Sequence, residues 1–239
     1  LGGGHVYALL FFIATVAWIA LSDGYEIRGA LLIGLLVAIK PNVIVWPIFL
    51  YLAGCRRLAL RSLFVALAAS ALPAFLYGPR IYSEWLAALR DDPHWIFTTD
   101  ISIMAFFSRL GLHTVGAAIA ALVALVLACL IWKTKAGLLV TSGVALCASI
   151  LCSPLAWFDY TLLPAPMFVA RRWTRLGTVA AVLLAIPTAL PLAMAAGSRL
   201  VVMLGGMIYL VPVWIMLGEF WAGMREPRTL PAGPERSPA

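Results

Sequence analysis

The stretch "GLLVAIKPNVIVWPIFLYL", residues 34–52, sets a single lysine inside apolar sequence: Lys40, followed at once by Pro41 and Asn42. The apolar run that holds it reaches from Gly29 to Ala53, so Lys40 lies about a dozen residues from either end. A helix needs about 20 apolar residues to cross a bilayer core, and the run reads as one transmembrane span with a charge near its middle. An ammonium can snorkel to the headgroups along its own alkyl stem, but half a bilayer is a long reach. The functional alternative is that Lys40 faces the protein interior and has a partner there. Pro41 removes a helical hydrogen bond and kinks or breaks the span. A broken helix frees backbone N–H groups, and such groups beside a lysine suit a phosphate.

The rest of the chain fits a membrane setting. Of 239 residues 64% are hydrophobic and 11% charged, with a mean hydropathy of +1.01, whereas soluble domains are roughly half apolar and a quarter charged. The composition is that of an integral membrane protein. The net charge of +7 sits in short basic clusters between apolar runs, the pattern of topology signals rather than of a nucleic-acid surface. The four cysteines form no CxxC pair, which argues against a metal site. No Walker, GxGxxG or GxSxG motif occurs, so neither ATP-driven transport nor serine hydrolysis is indicated and no cofactor is expected.

Eight apolar runs read as spans: about His5–Leu21, Gly29–Ala53, Ser62–Tyr77, Leu112–Trp132, Gly137–Cys152, a shorter one ending near Val169, Leu176–Ala196 and Leu200–Ala222. The expected fold class is therefore an all-α polytopic bundle over residues 1–222, with a flexible cytoplasmic tail over 223–239. Arg56, Arg57, Arg61, Lys133, Lys135, Arg171, Arg172, Arg175, Arg225 and Arg228 fall on one side of this count, which becomes the cytoplasmic side and takes both chain ends with it. The opposite side receives "SDGYEIR", the polar excursion 78–111 and "SPLAWFDY". Within the excursion, Ile81–Leu89 reads as an interfacial helix anchored by Trp85 and stopped by Asp91, Asp92 and Pro93, and "ISIMAFFSRL" as a second short one. No internal repeat is evident.

Two groups besides Lys40 carry possible chemistry. In "CSPLAWFDY", Ser153 and Pro154 fit a helix start, and Asp159 sits with Trp157 and Tyr160 near the outer interface. One reading is an aromatic belt with a solvated carboxylate. The other is an acid beside an aromatic platform for a sugar, where a carboxylate can deprotonate a hydroxyl nucleophile. The excursion adds Arg80, Glu84, Arg90, Asp91, Asp92, His94, Asp100 and Arg109, each read singly as a solvated loop residue, with Arg109 also able to face phosphate.

These motifs together resemble a known family. "RGALLIGLLVAIKPNVIVWPIFLYLAGCRR" is similar to the helix, lysine-proline, helix, basic segment of membrane-embedded GT-C-type glycosyltransferases, and in particular of glycosyltransferase family 87. "GGGHVYALLFF" resembles the segment before it, with Gly4-His5 where the family often has Gly-Gln. "TTDISIMAFFSRLG" resembles an Asn-x-Ser…Arg loop pattern, here Asp100, Ser102 and Arg109. "CSPLAWFDYTLLP" resembles a Ser-Pro, Trp, His-Tyr pattern, here Ser153-Pro154, Trp157 and Asp159-Tyr160. The resemblance covers roughly residues 1–170.

It implies a GT-C-like bundle in a bacterial cell membrane. It implies transfer of a hexose, mannose among the candidates, from a polyprenyl-phosphate donor to a lipid or glycan acceptor at the extracytoplasmic face, with membrane lipids around the bundle and no nucleic acid. On this view Lys40, Asn42, Asp100, Ser102, Arg109, Trp157 and Tyr160 bind substrate, with Lys40 and Arg109 on the donor phosphate. Asp159 is the catalytic candidate. Two departures accompany the resemblance. Asp159 stands where the family has histidine. The family's principal carboxylate belongs to a first extracytoplasmic loop ahead of the segment matching His5, so the expectation is that this chain lacks it. A transporter or flippase for lipid-linked or anionic substrates, and a non-catalytic relative, are the alternatives.

Overall fold

Pro41 has no backbone N–H to give to the carbonyl four residues back, and it forces the residue before it toward extended backbone. The helix entering from Glu26 therefore stops at Ile39, with Lys40 at φ −133° and ψ 88° and its N–H bonded to the Leu36 carbonyl at 2.8 Å. A 3-10 turn over Pro41–Ile44 follows and a new helix starts at Val45. The computed structural model describes residues 4–91, 99–170, 172 and 174–222. Its helices are α1 (Gly4–Ser22), α2 (Glu26–Ile39), α3 (Val45–Ala53), α4 (Arg56–Tyr77), α5 (Arg80–Asp91), α6 (Ile103–Arg109), α7 (His113–Thr134), α8 (Leu138–Leu151), α9 (Ala165–Val169), α10 (Arg175–Leu184), α11 (Ala189–Met194) and α12 (Arg199–Ala222), with a second 3-10 turn over Phe158–Leu162. Among the described residues there is no named strand, only an isolated bridge between Asp100 and Trp157. The all-α class holds.

The run 29–53 does not cross as one span. α2 runs alongside α4 in the same direction. Ile27 lies by Arg61, Gly34 by Ser62 and Val65, and Ile39 and Pro41 by Ser70 and Pro73. α3 must then return, and it ends in a tight turn, Cys55 N–H to Leu50 carbonyl at 2.9 Å, that launches α4. The segment is a helical hairpin with Lys40 at its tip. Gly34 makes the α2–α4 approach possible, because a Cβ there would lie 2.6 Å from the Ser62 carbonyl and 2.6 Å from the Val65 Cβ. Small residues at such crossings let helix backbones close in where no water drives apolar association.

The hairpin corrects the expected topology in three ways. The "SDGYEIR" turn lies at the same end of the bundle as Arg61, not at the opposite one. The start of α1 lies at the other end, where Tyr7 meets Tyr160. The end of α12 lies at the basic end, where Phe220 meets Gly143 and Glu219 accepts from Thr174, so the two do not share a side. The count of eight single spans also fails: among the described residues three helices, Arg56–Tyr77, His113–Thr134 and Leu200–Ala222, are long and apolar enough to cross a membrane. Proline is the local cause elsewhere too. Pro164 precedes the five-residue α9 and Pro166 lies in its first turn, and Pro187 lies between α10 and α11.

α8 is the central element, with every residue from Thr141 to Leu151 buried. Trp46, Phe49 and Leu50 of α3 belong to the core beside it. α4 turns Phe64, Leu67 and Phe75 outward, a surface suited to lipid rather than water. α5 forms as expected, and its Tyr82 hydroxyl donates to the Ser70 carbonyl of α4. Asp92, Pro93, His94 and the tail 223–239 lie outside the described residues, as do Arg171, Arg225 and Arg228.

Candidate functional site

The hairpin tip delivers Lys40 to the end of the bundle that carries the 78–111 excursion and the 153–160 turn. Its ammonium stands 4.3 Å from the centroid of the Tyr160 ring, a cation–π distance. Among the described residues no carboxylate lies within ion-pair distance of it. Tyr160 is buried, and its ring also packs against Tyr7 of α1 with centroids 5.6 Å apart. One residue past the proline, Asn42 Nδ2 donates to Ser153 Oγ at 3.3 Å. Ser153 Oγ in turn donates to the Leu155 carbonyl at 2.6 Å, shaping the turn that leads to Trp157.

Asp100, Ser102 and Arg109 build the wall beside this turn. Asp100 is fully buried. Its Oδ1 accepts from the backbone N–H of Ser102 at 2.9 Å and of Ala156 at 3.1 Å. Backbone bonds from Ile101 to the Ala156 carbonyl at 2.8 Å and from Phe158 to the Thr99 carbonyl at 3.0 Å complete the bridge. Ser102 caps α6, its Oγ accepting from Ala105 N–H at 3.0 Å, which stabilises a helix start by about 1 kcal/mol. Arg109, at the end of α6, donates from both Nη atoms to the Asp100 carbonyl at 3.0 Å each.

The electrostatics follow from burial. Burial pushes the Asp100 carboxyl up to about 6, against the opposing pull of its backbone donors, the Ser102 side chain and the Arg109 charge. Burial also pushes Arg109 down, and Asp100 opposes that shift. Asp159 is half-buried in the second 3-10 turn and is raised by burial. Its charge reaches the phenols of Tyr7 on α1 and Tyr209 on α12.

Sequence reasoning had singled out neither tyrosine, because an aromatic in an apolar run carries no signal until the fold brings it to a carboxylate. Tyr209 is held by Phe158, stacked with centroids 5.5 Å apart, and by donation to the Ile186 carbonyl at 2.5 Å.

All eight predicted site residues lie on two connected pieces of wall. At the hairpin tip Lys40 meets Tyr160 and Asn42 meets Ser153; Trp157 bridges to Asp100, the Asp159 charge reaches Tyr7 and Tyr209, and Asp100, Ser102 and Arg109 bond to the backbone of the loop and turn. Asn42 Oδ1, Trp46 Nε1, Asp100 Oδ2 and the Tyr160 hydroxyl are buried with no hydrogen-bond partner among the described residues. Each orphan costs about 1–3 kcal/mol unless water or a ligand satisfies it. A groove of about 280 Å³ lies beside the tip between Ile39, Pro41, Ser70, Pro73, Tyr82 and Trp85. A larger groove of about 700 Å³ lies at the basic end between α10 and α12 and contains none of the site residues. Among the described residues no cluster of His, Cys, Asp and Glu has a metal-holding arrangement.

Comparison with known proteins adds one assignment. No curated protein and no solved structure matches the chain. The family model for glycosyltransferase family 87 matches residues 1–154, a segment that takes in the hairpin, the bridge loop and Arg109 and stops just short of Trp157. With that much of its 239 residues matched, the chain belongs to glycosyltransferase family 87.

Proposed function

We propose that this chain is a polytopic membrane glycosyltransferase that moves a hexose from a polyprenyl-phosphate donor to a hydroxyl of a lipid or glycan acceptor. The face used is the one bearing residues 78–111 and 153–160. The observation that carries the reading is Lys40, a cation without a carboxylate partner among the described residues, held by an aromatic face at the tip of a hairpin. A phosphate monoanion or dianion supplies the missing countercharge. The groove beside the same tip, lined by Ile39, Pro41, Pro73 and Trp85, is the place for the apolar tail of a lipid phosphate.

The acceptor hydroxyl gives its proton to the Asp159 carboxylate, whose burial raises its basicity. The acceptor oxygen forms a bond to the anomeric carbon while the bond from that carbon to the phosphate oxygen breaks, and the configuration inverts. Lys40 stabilises the charge that grows on the departing polyprenyl phosphate. Trp157 offers a face for the sugar ring, and Asn42 and Ser153 hold the turn in register. Asp100, Ser102 and Arg109 form the wall of the acceptor side.

The test is donor choice. Purified protein is given a radiolabelled hexose on polyprenyl phosphate or on a nucleotide, with a membrane lipid extract as acceptor. The reading expects label transfer and free polyprenyl phosphate from the first donor alone. Transfer from the nucleotide sugar with none from the lipid donor would overturn it.

A further inference from the structure

Arg109 sits near the site but points its guanidinium at the protein's own backbone. Both Nη atoms donate to the Asp100 carbonyl at 3.0 Å. The guanidinium occupies the space where Gly206 of α12 has no side chain, since a Cβ there would lie 2.6 Å from Nη2 and 2.9 Å from Cζ. Asp100 passes the constraint on, because its Oδ1 takes the Ala156 N–H and the bridge ties Ile101 and Phe158 across. The Tyr160 N–H then closes on the Trp157 carbonyl at 2.9 Å, and the Tyr160 ring is the seat of Lys40. This is a continuous run of close contacts and hydrogen bonds from α12, outside the segment 1–154, to the hairpin tip.

We infer that Gly206, Arg109 and Asp100 form a positioning clamp for the Trp157–Tyr160 turn, and that Arg109 acts through this clamp rather than by touching the donor phosphate. The inference rests on the proposed transfer reading for its kinetic consequence but not for its structural one. A two-pronged guanidinium is needed because one carbonyl accepts both Nη donors, a geometry lysine cannot copy. Glycine is needed at 206 because the guanidinium is fixed at its far side and cannot swing away from a new methyl without losing a bond.

The experiment compares wild type with Gly206→Ala, Arg109→Lys and Lys40→Met, each purified in detergent. Amide hydrogen exchange is read over residues 99–102 and 155–160, with α2–α4 as internal reference. Exchange in the two segments is expected to quicken about tenfold in Gly206→Ala and Arg109→Lys while the reference is unchanged. Unchanged exchange in the segments, or equal acceleration over α2–α4, would overturn the clamp. Turnover is read in parallel. kcat is expected to fall about tenfold in both variants with KM for the polyprenyl-phosphate donor, and affinity for free polyprenyl phosphate, held within about twofold. A loss of polyprenyl-phosphate affinity in Arg109→Lys as large as in Lys40→Met would place Arg109 on the phosphate and refute the inference. Failure of wild type to turn over or bind any polyprenyl phosphate would instead remove the transfer reading, and the exchange result alone would then decide the clamp.

Discussion

Replacing Asp100 by asparagine turns the burial of its carboxylate into a measurable slope. The folded carboxyl titrates at about 6 against an ordinary value of 3.8. Between those values the folded chain keeps a proton that the unfolded chain has released. The contribution of this group to stability is therefore largest in acid, falls as pH rises through that window, and levels off above it. Each pH unit is worth about 1.4 kcal/mol, so holding the ion folded at neutral pH costs about 3 kcal/mol in full, and about 2 kcal/mol of that is felt between pH 4.5 and 7.5. At about 2–4 °C per kcal/mol for a chain of this size, the wild-type unfolding midpoint should drop about 4–8 °C more than the variant's across that range. Asparagine keeps an oxygen for the Ser102 and Ala156 N–H groups, so the bridge survives the substitution. The assay is thermal unfolding in detergent at the two pH values, with groups other than residue 100 common to both proteins. Parallel pH profiles would refute the reasoning, because they would mean that Asp100 is not ionised against its surroundings.

The hairpin predicts that single cysteines introduced as Tyr25→Cys and Arg57→Cys, in a background without native cysteines, react with an impermeant thiol reagent from the same face of a vesicle; labelling from opposite faces would restore the single-span reading. Gly34→Val should lower stability by about 1–3 kcal/mol, read as a lower unfolding midpoint, because its side chain meets the Ser62 carbonyl and Val65, and an unchanged midpoint would argue against the α2–α4 crossing. Tyr160→Phe should retain most transfer activity because the ring that faces Lys40 remains, whereas Tyr160→Ala should lose about tenfold in kcat; equal loss in both would shift the role from the ring to the hydroxyl.

Composition alone made the membrane class legible, because an apolar fraction this high leaves few other solutions, and proline alone marked the break at residue 40. The direction of the chain after the break was not legible. A kinked span and a hairpin have the same apolar residues and the same proline, and they differ in which helix lies beside α2. That is decided by Gly34 fitting against Ser62 and Val65 of α4, a contact no local pattern announces. Basic clusters were read against a crossing that does not occur, so "SDGYEIR" went to the wrong end. In the site, Lys40, Trp157, Asp159 and Tyr160 were legible as charges and aromatics out of place. The tie between Asp100 and Ala156 spans 56 residues, and the partnership of Arg109 with Gly206 spans nearly a hundred, so both needed the fold. Lys40 is not at mid-bilayer depth but at a hairpin tip near one end of the bundle, with Pro41 beside Ser70 and Pro73 while α4 continues to Tyr77.

The central claim is that this lysine discharges a lipid phosphate. Its most direct measurement is single-turnover transfer from a polyprenyl-phosphate hexose by Lys40→Met and Lys40→Arg, with unfolding midpoints checked alongside. The account predicts a loss of about 10²–10³ in rate for Lys40→Met with little change in midpoint, and partial recovery in Lys40→Arg, as for removal of a group that meets charge developing in the transition state. A Lys40→Met protein that folds and transfers sugar at the wild-type rate would contradict it.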